Sequence, residues 1–567
     1  MNILLKKLCE NRGYTNEFLQ EINNPDYDKL KDIDTLIARL KEIHDEHSVI
    51  TWLPDFDFDG ISSGTLGYGG MSELGFNTRL YIPDPSKGYG FNAQTIDDLL
   101  TKYPDTKTVI TCDVGIGCTE GIDRCHELGI EVLVTDHHMQ EFTSNADIVV
   151  DPLRMDEAYS HPGICGAFVV YQILQYYADT YTTYFVQDQI RRLKVLAGFG
   201  TISDVMPLLY ENRQLVKESL SICKMIFGDG TSSIVSSITG SVPYRKIFWG
   251  IYYVLKMYFE NGVIKNSSDI NEEFFGFYLA PTFNSAKRMN GDMVRTFSVF
   301  FGNNQFDDAK YLFDLNAQRK VLVDTEYNRL MTSTQPYAPY IYIANVQAGI
   351  LGLLAMKIHS ATGEPAFVLN DRGSSCKEDR FSGSGRSPSW FNCRESVGDF
   401  VFIAGHESAF GCSVKNQTDL ERMYRILKTD VPAKYDEAMA EGLLVEAKPD
   451  YVISTDWTQD VGIDTDVFYN YVDEKDSFRP FGNGFPAPQG LLIFTNDDVD
   501  EWKTMGRAKE HLKLIFSNGF SVICWRQGHL VSKKDVPGTY KILGDLSTSE
   551  FRGEISVNFI GTFLESD

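Results

Sequence analysis

Ser48-Val49-Ile50-Thr51-Trp52-Leu53 is a β-rich run that leads directly into Asp55-Phe56-Asp57-Phe58-Asp59-Gly60. If the strand continues, alternation points all three carboxylates the same way. Like charges on one face repel each other, and a cation is the usual remedy. After Gly60 the chain turns into Ile61-Ser62-Ser63, which reads as a helix start. A solvated acidic turn is the plain alternative for this motif taken alone.

Further along, a second strand from Thr108 to Cys112 ends at Asp113, ahead of the flexible Val114-Gly115-Ile116-Gly117. A third, Glu131 to Thr135, ends at Asp136-His137-His138, and a fourth, Ile148-Val149-Val150, ends at Asp151-Pro152. Between the second and third, Glu120 to Leu128 is polar on one side and apolar on the other, as a crossover helix should be. Taken singly, Asp113 reads as a cap or turn residue and the histidine pair as a surface feature. Strand and helix in alternation imply an α/β fold with a parallel sheet, whose strands present their carboxyl ends at one edge, where ligands bind. Independent surface acids have no reason to gather at that rim. Carboxylates with one or two imidazoles suit manganese, and the lack of cysteine ligands disfavours structural zinc. Two such ions about 4 Å apart clamp an in-line displacement at phosphorus, one activating water and the other stabilising the leaving oxygen. The pattern predicts a phosphoesterase.

With 567 residues, 43% of them hydrophobic and 23% charged, the chain reads as a soluble protein of two to four domains that together enclose a cleft. The opening MNILLKKLCENRG lacks the charged-then-apolar order of a secretion signal, and no stretch approaches transmembrane length. The ten cysteines form no CxxC pair and are expected to stay reduced, so a cytoplasmic location with no membrane partner is expected. A formal charge of −25 repels polyanions at long range. Any grip on nucleic acid must therefore come from local cationic patches or from bound metal, which reverses the field where phosphate sits.

Asp57-x-Asp59-Gly60, Asp113, Asp136-His137-His138 and Gly200-Thr201-Ile202-Ser203-Asp204-Val205-Met206-Pro207-Leu208 resemble, in order, the four motifs of the DHH phosphoesterases. The last is close to the RecJ version, with its trailing Glu211-Asn212-Arg213. The likeness continues through Leu279-Ala280-Pro281, Asn284 and Arg288, then Gly349-Ile350-Leu351-Gly352, Gly383-Ser384-Gly385-Arg386-Ser387 and Ala404-Gly405-His406-Glu407-Ser408-Ala409-Phe410-Gly411, which resembles the GGHxxAAG motif. Phe481 to Pro488, preceded by Pro480, and Lys509 to Leu514 resemble the oligonucleotide-binding domain of the long RecJ-type members. The resemblance implies an N-terminal helical segment over 1–45, a parallel-sheet DHH catalytic domain over 46–215 and connecting helices over 216–270. A smaller α/β DHH-associated domain over 271–425 and a C-terminal OB-like β-barrel over 426–567 would follow.

Carried over residue by residue, it implies metal ligation of two Mn2+ ions, or Mg2+, by Asp57, Asp59, Asp113, His137 and Asp204, with Asp113 bridging. Asp55 and Asp136 would orient ligands and His138 would contact the scissile phosphate. Ser384 and Arg386 would hold a 5′-terminal phosphate with Arg288, and Gly405 and His406 would close the same wall. The implied activity is 5′ to 3′ exonuclease action on single-stranded DNA, giving 5′-mononucleotides in repair or recombination. The implied partners are single-stranded DNA and a single-strand-binding protein or helicase. Without the family, Asp204 reads as a helix cap, the Gly383–Ser387 run as a surface turn, and His406 as readily as a buried structural histidine.

The terminal region alternates Gly490 to Phe494, Leu512 to Phe516, Phe520 to Trp525 and Ile555 to Phe559 with turns, which suits a small barrel. Lys503, Arg507, Lys509 and Lys513, near Trp502 and His511, are candidates to track a single-stranded backbone. Thr282, Lys287 and Phe410 depart from the residues usual in RecJ proteins, and Asp84-Pro85 interrupts the usual Pro-x-Arg pattern ahead of Gly88-Tyr89-Gly90. Two rival functions share most of these features: a DHH phosphodiesterase for cyclic dinucleotides or short RNA, and a catalytically silent single-strand-binding scaffold. The long chain with its barrel disfavours the first, and four intact acidic motifs disfavour the second.

Overall fold

The computed structural model describes all residues except 26–27, 85–89, 229, 374–375, 377, 445–447, 456–461, 463, 552–553 and 565–567. The interruption at Pro85 and the Gly88-Tyr89 pair thus lie outside the described residues. The chain divides into two compact units. One comprises Tyr27–Met206 and Glu218–Val445; the other comprises Met1–Asp26, Pro207–Lys217 and Glu446–Asp567.

The larger unit begins with a parallel sheet of β1 (Ile50–Pro54), β2 (Thr78–Leu80), β3 (Thr108–Cys112), β4 (Glu131–Thr135) and β5 (Ile148–Val150), in the order β2-β1-β3-β4-β5. Every residue of β1 and β3 is buried, as in a parallel sheet covered on both faces. Register sets Pro54 beside Cys112, Cys112 beside Thr135 and Thr135 beside Val150, so these strands end level. The ladder runs one step further: the N–H of Asp55 donates to Cys112 O, that of Asp113 to Thr135 O, and that of Asp136 to Val150 O. The first residue beyond each of β1, β3 and β4 is an aspartate pinned at a common rim. Helices Phe58–Glu73, Gly166–Tyr181 and Lys194–Ser203 pack together beside it.

The same unit holds a second sheet of β6 (Ile341–Ala344), β7 (Ala366–Asp371), β8 (Phe381–Arg386), β9 (Val401–Gly405) and β10 (Ala409–Val414), ordered β6-β7-β8-β10-β9. Helix Ala348–Thr362 crosses from β6 to its parallel neighbour β7, and the remaining pairs are antiparallel. Helices Ala280–Arg288 and Gln305–Thr332 precede it. The expected boundary at 425 falls inside helix Gln417–Ala440.

In the other unit, β11 (Tyr451–Ser454), β12 (Gly490–Thr495), β13 (Val499–Met505), β14 (His511–Phe516), β15 (Ser521–Cys524), β16 (Thr539–Phe551) and β17 (Glu554–Leu564) form one sheet, ordered β11-β12-β16-β17-β15-β14-β13. Residues 1–45, read from sequence as one segment, divide between the units. Helix Ile3–Arg12 sends Leu4 and Leu5 into the core formed by Tyr451, Phe468, Leu492 and Phe559. Arg12 grips both oxygens of Asp450 at 2.6 Å. Arg213, from the motif trailing Asp204, is 1% exposed and is an anchor of this unit. It donates to Pro480 O at 2.8 Å and lies 4.2 Å over the Phe485 ring, holding the Pro480–Pro488 loop.

Candidate metal centre and phosphate pocket

Asp55, Asp59, Asp113, Asp136 and His137 are all buried where the first sheet ends. Asp59 is fully buried; its oxygens accept the N–H groups of Gly166 at 2.7 Å and Ala167 at 3.0 Å, at the start of helix Gly166–Tyr181. A Cβ at Gly200 would collide with Asp59 Oδ1, so only glycine lets helix Lys194–Ser203 approach. Asp113 takes a positive φ of 61° past the end of β3, a strained conformation for a residue with a side chain. Asp204 caps the C-terminus of helix Lys194–Ser203, as its sequence suggests, and also reaches the cluster.

The His137 Nε2 atom stands at the middle of the cluster, 3.0 Å from Asp113 Oδ1, 3.4 Å from Asp204 Oδ2 and 3.6 Å from Asp59 Oδ2. It is aligned with none of them as a hydrogen bond, and Asp55 Oδ1 and Asp113 Oδ1 are also buried without one. Ligand atoms fall into three overlapping groups, each within 4.8 Å: Asp113, His137 and His138; Asp59, His137 and Asp204; Asp55, Asp57 and Asp113. Oxygen and imidazole donors without thiolate, holding buried lone pairs that nothing satisfies, fit a hard or borderline divalent cation.

Asp136 is arranged differently. Its oxygens accept from Ile116 N–H at 2.9 Å, His137 N–H at 2.8 Å and His138 Nδ1 at 2.8 Å, so it orients the two histidines. With Nδ1 engaged, His138, half exposed, has Nε2 for another partner.

The electrostatics express the crowding. Burial, then the charge of Asp204, pushes Asp59 up to about 7. Burial and the neighbouring aspartates hold Asp113 well above the usual carboxylate range. Burial disfavours a charged His137, but Asp204 and Asp59 outweigh it and raise its pKa to about 9. In the absence of a cation, the cluster relieves repulsion by holding protons.

Arg288 ends helix Ala280–Arg288, and Ser384 and Arg386 lie on β8. Helix Ala348–Thr362 brings them together: Gly349 abuts the Arg288 backbone, and Gly352 faces Ser384 Oγ and Arg386 Nη2. Arg288 has its pKa lowered by burial and then by Arg319 and Arg386, against the opposing pull of Asp57. The sequence reading missed Arg319. It is buried in the middle of helix Gln305–Thr332 and held by Asn316 Oδ1 at 2.9 and 3.0 Å. Among the described residues no carboxylate forms an ion pair with Arg288, Arg319 or Arg386. In a chain of charge −25, guanidinium groups without acid partners have the chemistry to receive an anion. One sequence signal existed: an Arg at the apolar spacing of a long helix.

Gly405 and His406 lie at the exposed turn between β9 and β10, where His406 N–H and Ala409 O pair at 3.0 Å. His406 is therefore not the buried structural histidine that sequence allowed. Phe410 points into the core from the opposite face of the sheet to Ser384 and Arg386, filling the space left by Gly385. Thr282 is buried, and its hydroxyl accepts from Asn316 Nδ2 at 3.0 Å. On the C-terminal sheet, alternation turns Trp502 inward against Phe494, Tyr540 and Phe563, so it is no stacking platform. Lys503 and Lys513 face each other across β13 and β14 on the outer side, and half-exposed Trp525 stands edge-on to His511 at 4.8 Å.

A parallel sheet that ends in a cluster of carboxylates and imidazole has the donor set for divalent cations that act on phosphate esters. Residues 49–197 match the DHH family, N-terminal domain, and residues 464–561 match the RecJ OB domain. The chain thus carries matches to both a DHH N-terminal domain and a RecJ OB domain, one in each part of its length. It is 23% identical over 97% of its length to the single-stranded-DNA-specific exonuclease RecJ of Bacillus subtilis, spanning 66% of that protein. It is 24% identical over 93% to RecJ of Thermus thermophilus and 22% over 96% to RecJ of Haemophilus influenzae, spanning 70% and 92% of them. The crystal structure of Thermus thermophilus RecJ in complex with Mn2+ shares the fold, with a TM-score of 0.72 at 21% identity, covering all of this chain and 76% of that one.

Proposed function

We propose that the chain is a metal-dependent phosphodiesterase that removes 5′-mononucleotides from the 5′ end of single-stranded DNA, in DNA repair or recombination. The observation that carries this reading is helix Ala280–Arg288, which sets Lys287 3.2 Å from Asp55 Oδ2 of the metal cluster and packs the Arg288 backbone on Gly349 of the helix that faces the anion pocket of Ser384 and Arg386. A terminal phosphate held in that pocket puts the next phosphodiester beside the carboxylates, and this adjacency gives an exonuclease its polarity.

Asp57, Asp59, Asp113, His137 and Asp204 would be the ligands in this reading, and Asp113 belongs to two of the three ligand groups. Two Mn2+ ions, or Mg2+, would activate water at neutral pH and stabilise charge on the leaving oxygen. Asp55 supports the ligands, Asp136 holds the imidazole of His138, and His138 Nε2 meets the scissile phosphate. Ser384, Arg386, Arg288 and Arg319 take the 5′ phosphate, with Gly405 and His406 at the rim. The outward Lys503, Lys513, His511 and Trp525 suit a single strand's phosphates and bases. No helix among the described residues is long and apolar enough to cross a membrane. A cytoplasmic location and a single-strand-binding protein or helicase as partner complete the proposal. Digestion of end-labelled single- and double-stranded DNA and of a cyclic dinucleotide, with Mn2+, Mg2+ or chelator, tests it. Mn2+-dependent release from the 5′ end of the single strand is expected. Preferential hydrolysis of the dinucleotide, or strand binding without hydrolysis, would replace this reading.

A further inference from the structure

Helix Ala280–Arg288 sets Phe283, Asn284 and Lys287 on one face, because residues three and four apart are neighbours along a helix. Phe283 stacks on Phe58 with centroids 4.2 Å apart and planes 6° from parallel. Asn284 Oδ1 accepts the Phe58 N–H at 2.9 Å. These contacts seat the helix on the acidic segment after β1 and fix where Lys287 points. Its ammonium stands 3.2 Å from Asp55 Oδ2 and 3.5 Å from Asp57 Oδ2. Asp55, Asp57 and Asp113 make up one of the three ligand groups. Among the described residues no lysine or arginine pairs with Asp59, Asp113 or Asp204, where the other groups lie.

A divalent ion bonded to carboxylate oxygens at about 2.1 Å would lie within a few ångströms of this ammonium. Two positive charges so close in a buried site repel strongly. The lysine has a flexible four-carbon stem and three donors, so it can leave the carboxylates for another anion. A phosphate oxygen is the anion the reaction brings.

We propose that Lys287 is a built-in occupant of the Asp55–Asp57 side of the metal centre: its ammonium keeps the ion there weakly held, and a bound phosphate ester accepts the displaced ammonium and lets that ion load. The inference rests on the metal-centre reading above. It makes metal occupancy at one position depend on substrate, while the Asp59–His137–Asp204 position fills independently.

Mn2+ binding to the full-length protein, followed by the loss of the free-ion electron paramagnetic resonance signal, tests it without reference to turnover. The wild type should show two classes of site differing by about tenfold or more. Thymidine 5′-monophosphate should tighten the weaker class and leave the stronger one unchanged. Lys287→Met should tighten the weaker class by about tenfold in the absence of nucleotide, whereas Lys287→Arg should keep the gap. Identical isotherms for wild type and Lys287→Met, or a weaker class indifferent to the nucleotide, would overturn the role of Lys287. Should Lys287→Met fail to fold, the nucleotide titration of the wild type decides alone. Absence of Mn2+ binding to both folded proteins would instead remove the metal-centre reading along with this one.

Discussion

Asp113 leaves the level end of β3 with a positive φ and brings Oδ1 to 3.0 Å from His137 Nε2, while belonging to two of the three ligand groups. Asp113→Ala is therefore expected to lower Mn2+-dependent hydrolysis about a thousandfold while leaving the far-ultraviolet spectrum unchanged. Retained activity would remove the two-metal mechanism. Among the described residues Arg386 makes one hydrogen bond, to Gly385 O at 2.9 Å, which leaves the rest of its fork for an anion. Arg386→Ala should weaken 5′-phosphorylated substrates by about 10- to 100-fold, the worth of a charged hydrogen bond, and spare those with a 5′ hydroxyl. Equal losses on both would contradict the pocket. Asp113 and Asp136 were legible because each follows a strand directly. Arg319 was not read, because its one local signal, a place among Leu312, Leu315 and Val323 on the apolar face of a helix, says that it is buried but not which distant groups it meets.

Asp59 and His137, crowded together where the first sheet ends, make the stability of this element depend on pH. Asp59 rises from 3.8 to about 7 and His137 from 6.5 to about 9. A raised carboxyl binds more protons folded than unfolded, so stability falls as pH climbs from 3.8 to about 7. A raised imidazole contributes stability below 6.5 that is lost as pH rises through about 9. Both act in one direction. Thermal melts in chelator should show the melting temperature falling across this window, and saturating Mn2+ should flatten the fall by taking the place of the protons. A pH-independent difference between the two conditions would contradict the cluster. The strands that carry these acids were readable as short β-branched runs closed by a polar residue. In the C-terminal sheet the sequence reading passed over β11, β13 and β16, and it placed Trp502 among the candidates for a single-strand track. Which of two alternating faces is inward depends on the partner strand.

Across the whole chain, Leu5 shares a core with Tyr451, Leu492 and Phe559, residues far beyond it in sequence. Leu5→Ala should lower the stability of the unit that holds Glu446–Asp567 by about 3 kcal/mol. Proteolysis should then nick this unit first, and a chain cut uniformly would argue against the shared core. The expected segment 1–45 was a reasonable reading of consecutive helices, yet chain order says nothing about which distant apolar face each helix will cover.

Local pattern alone determined that this protein has a parallel sheet, that aspartates and histidines end its strands, and that the chemistry at that edge concerns phosphate. Periodicity and strand-end residues are short-range properties, written into neighbouring positions. Only the tertiary structure decided that Lys287 meets Asp55 and Asp57, that Arg319 joins Arg288 and Arg386, and that the first helix completes the last domain. Each of these pairs positions remote in sequence, and such meetings are set by how packed faces fit together rather than by anything either segment carries alone.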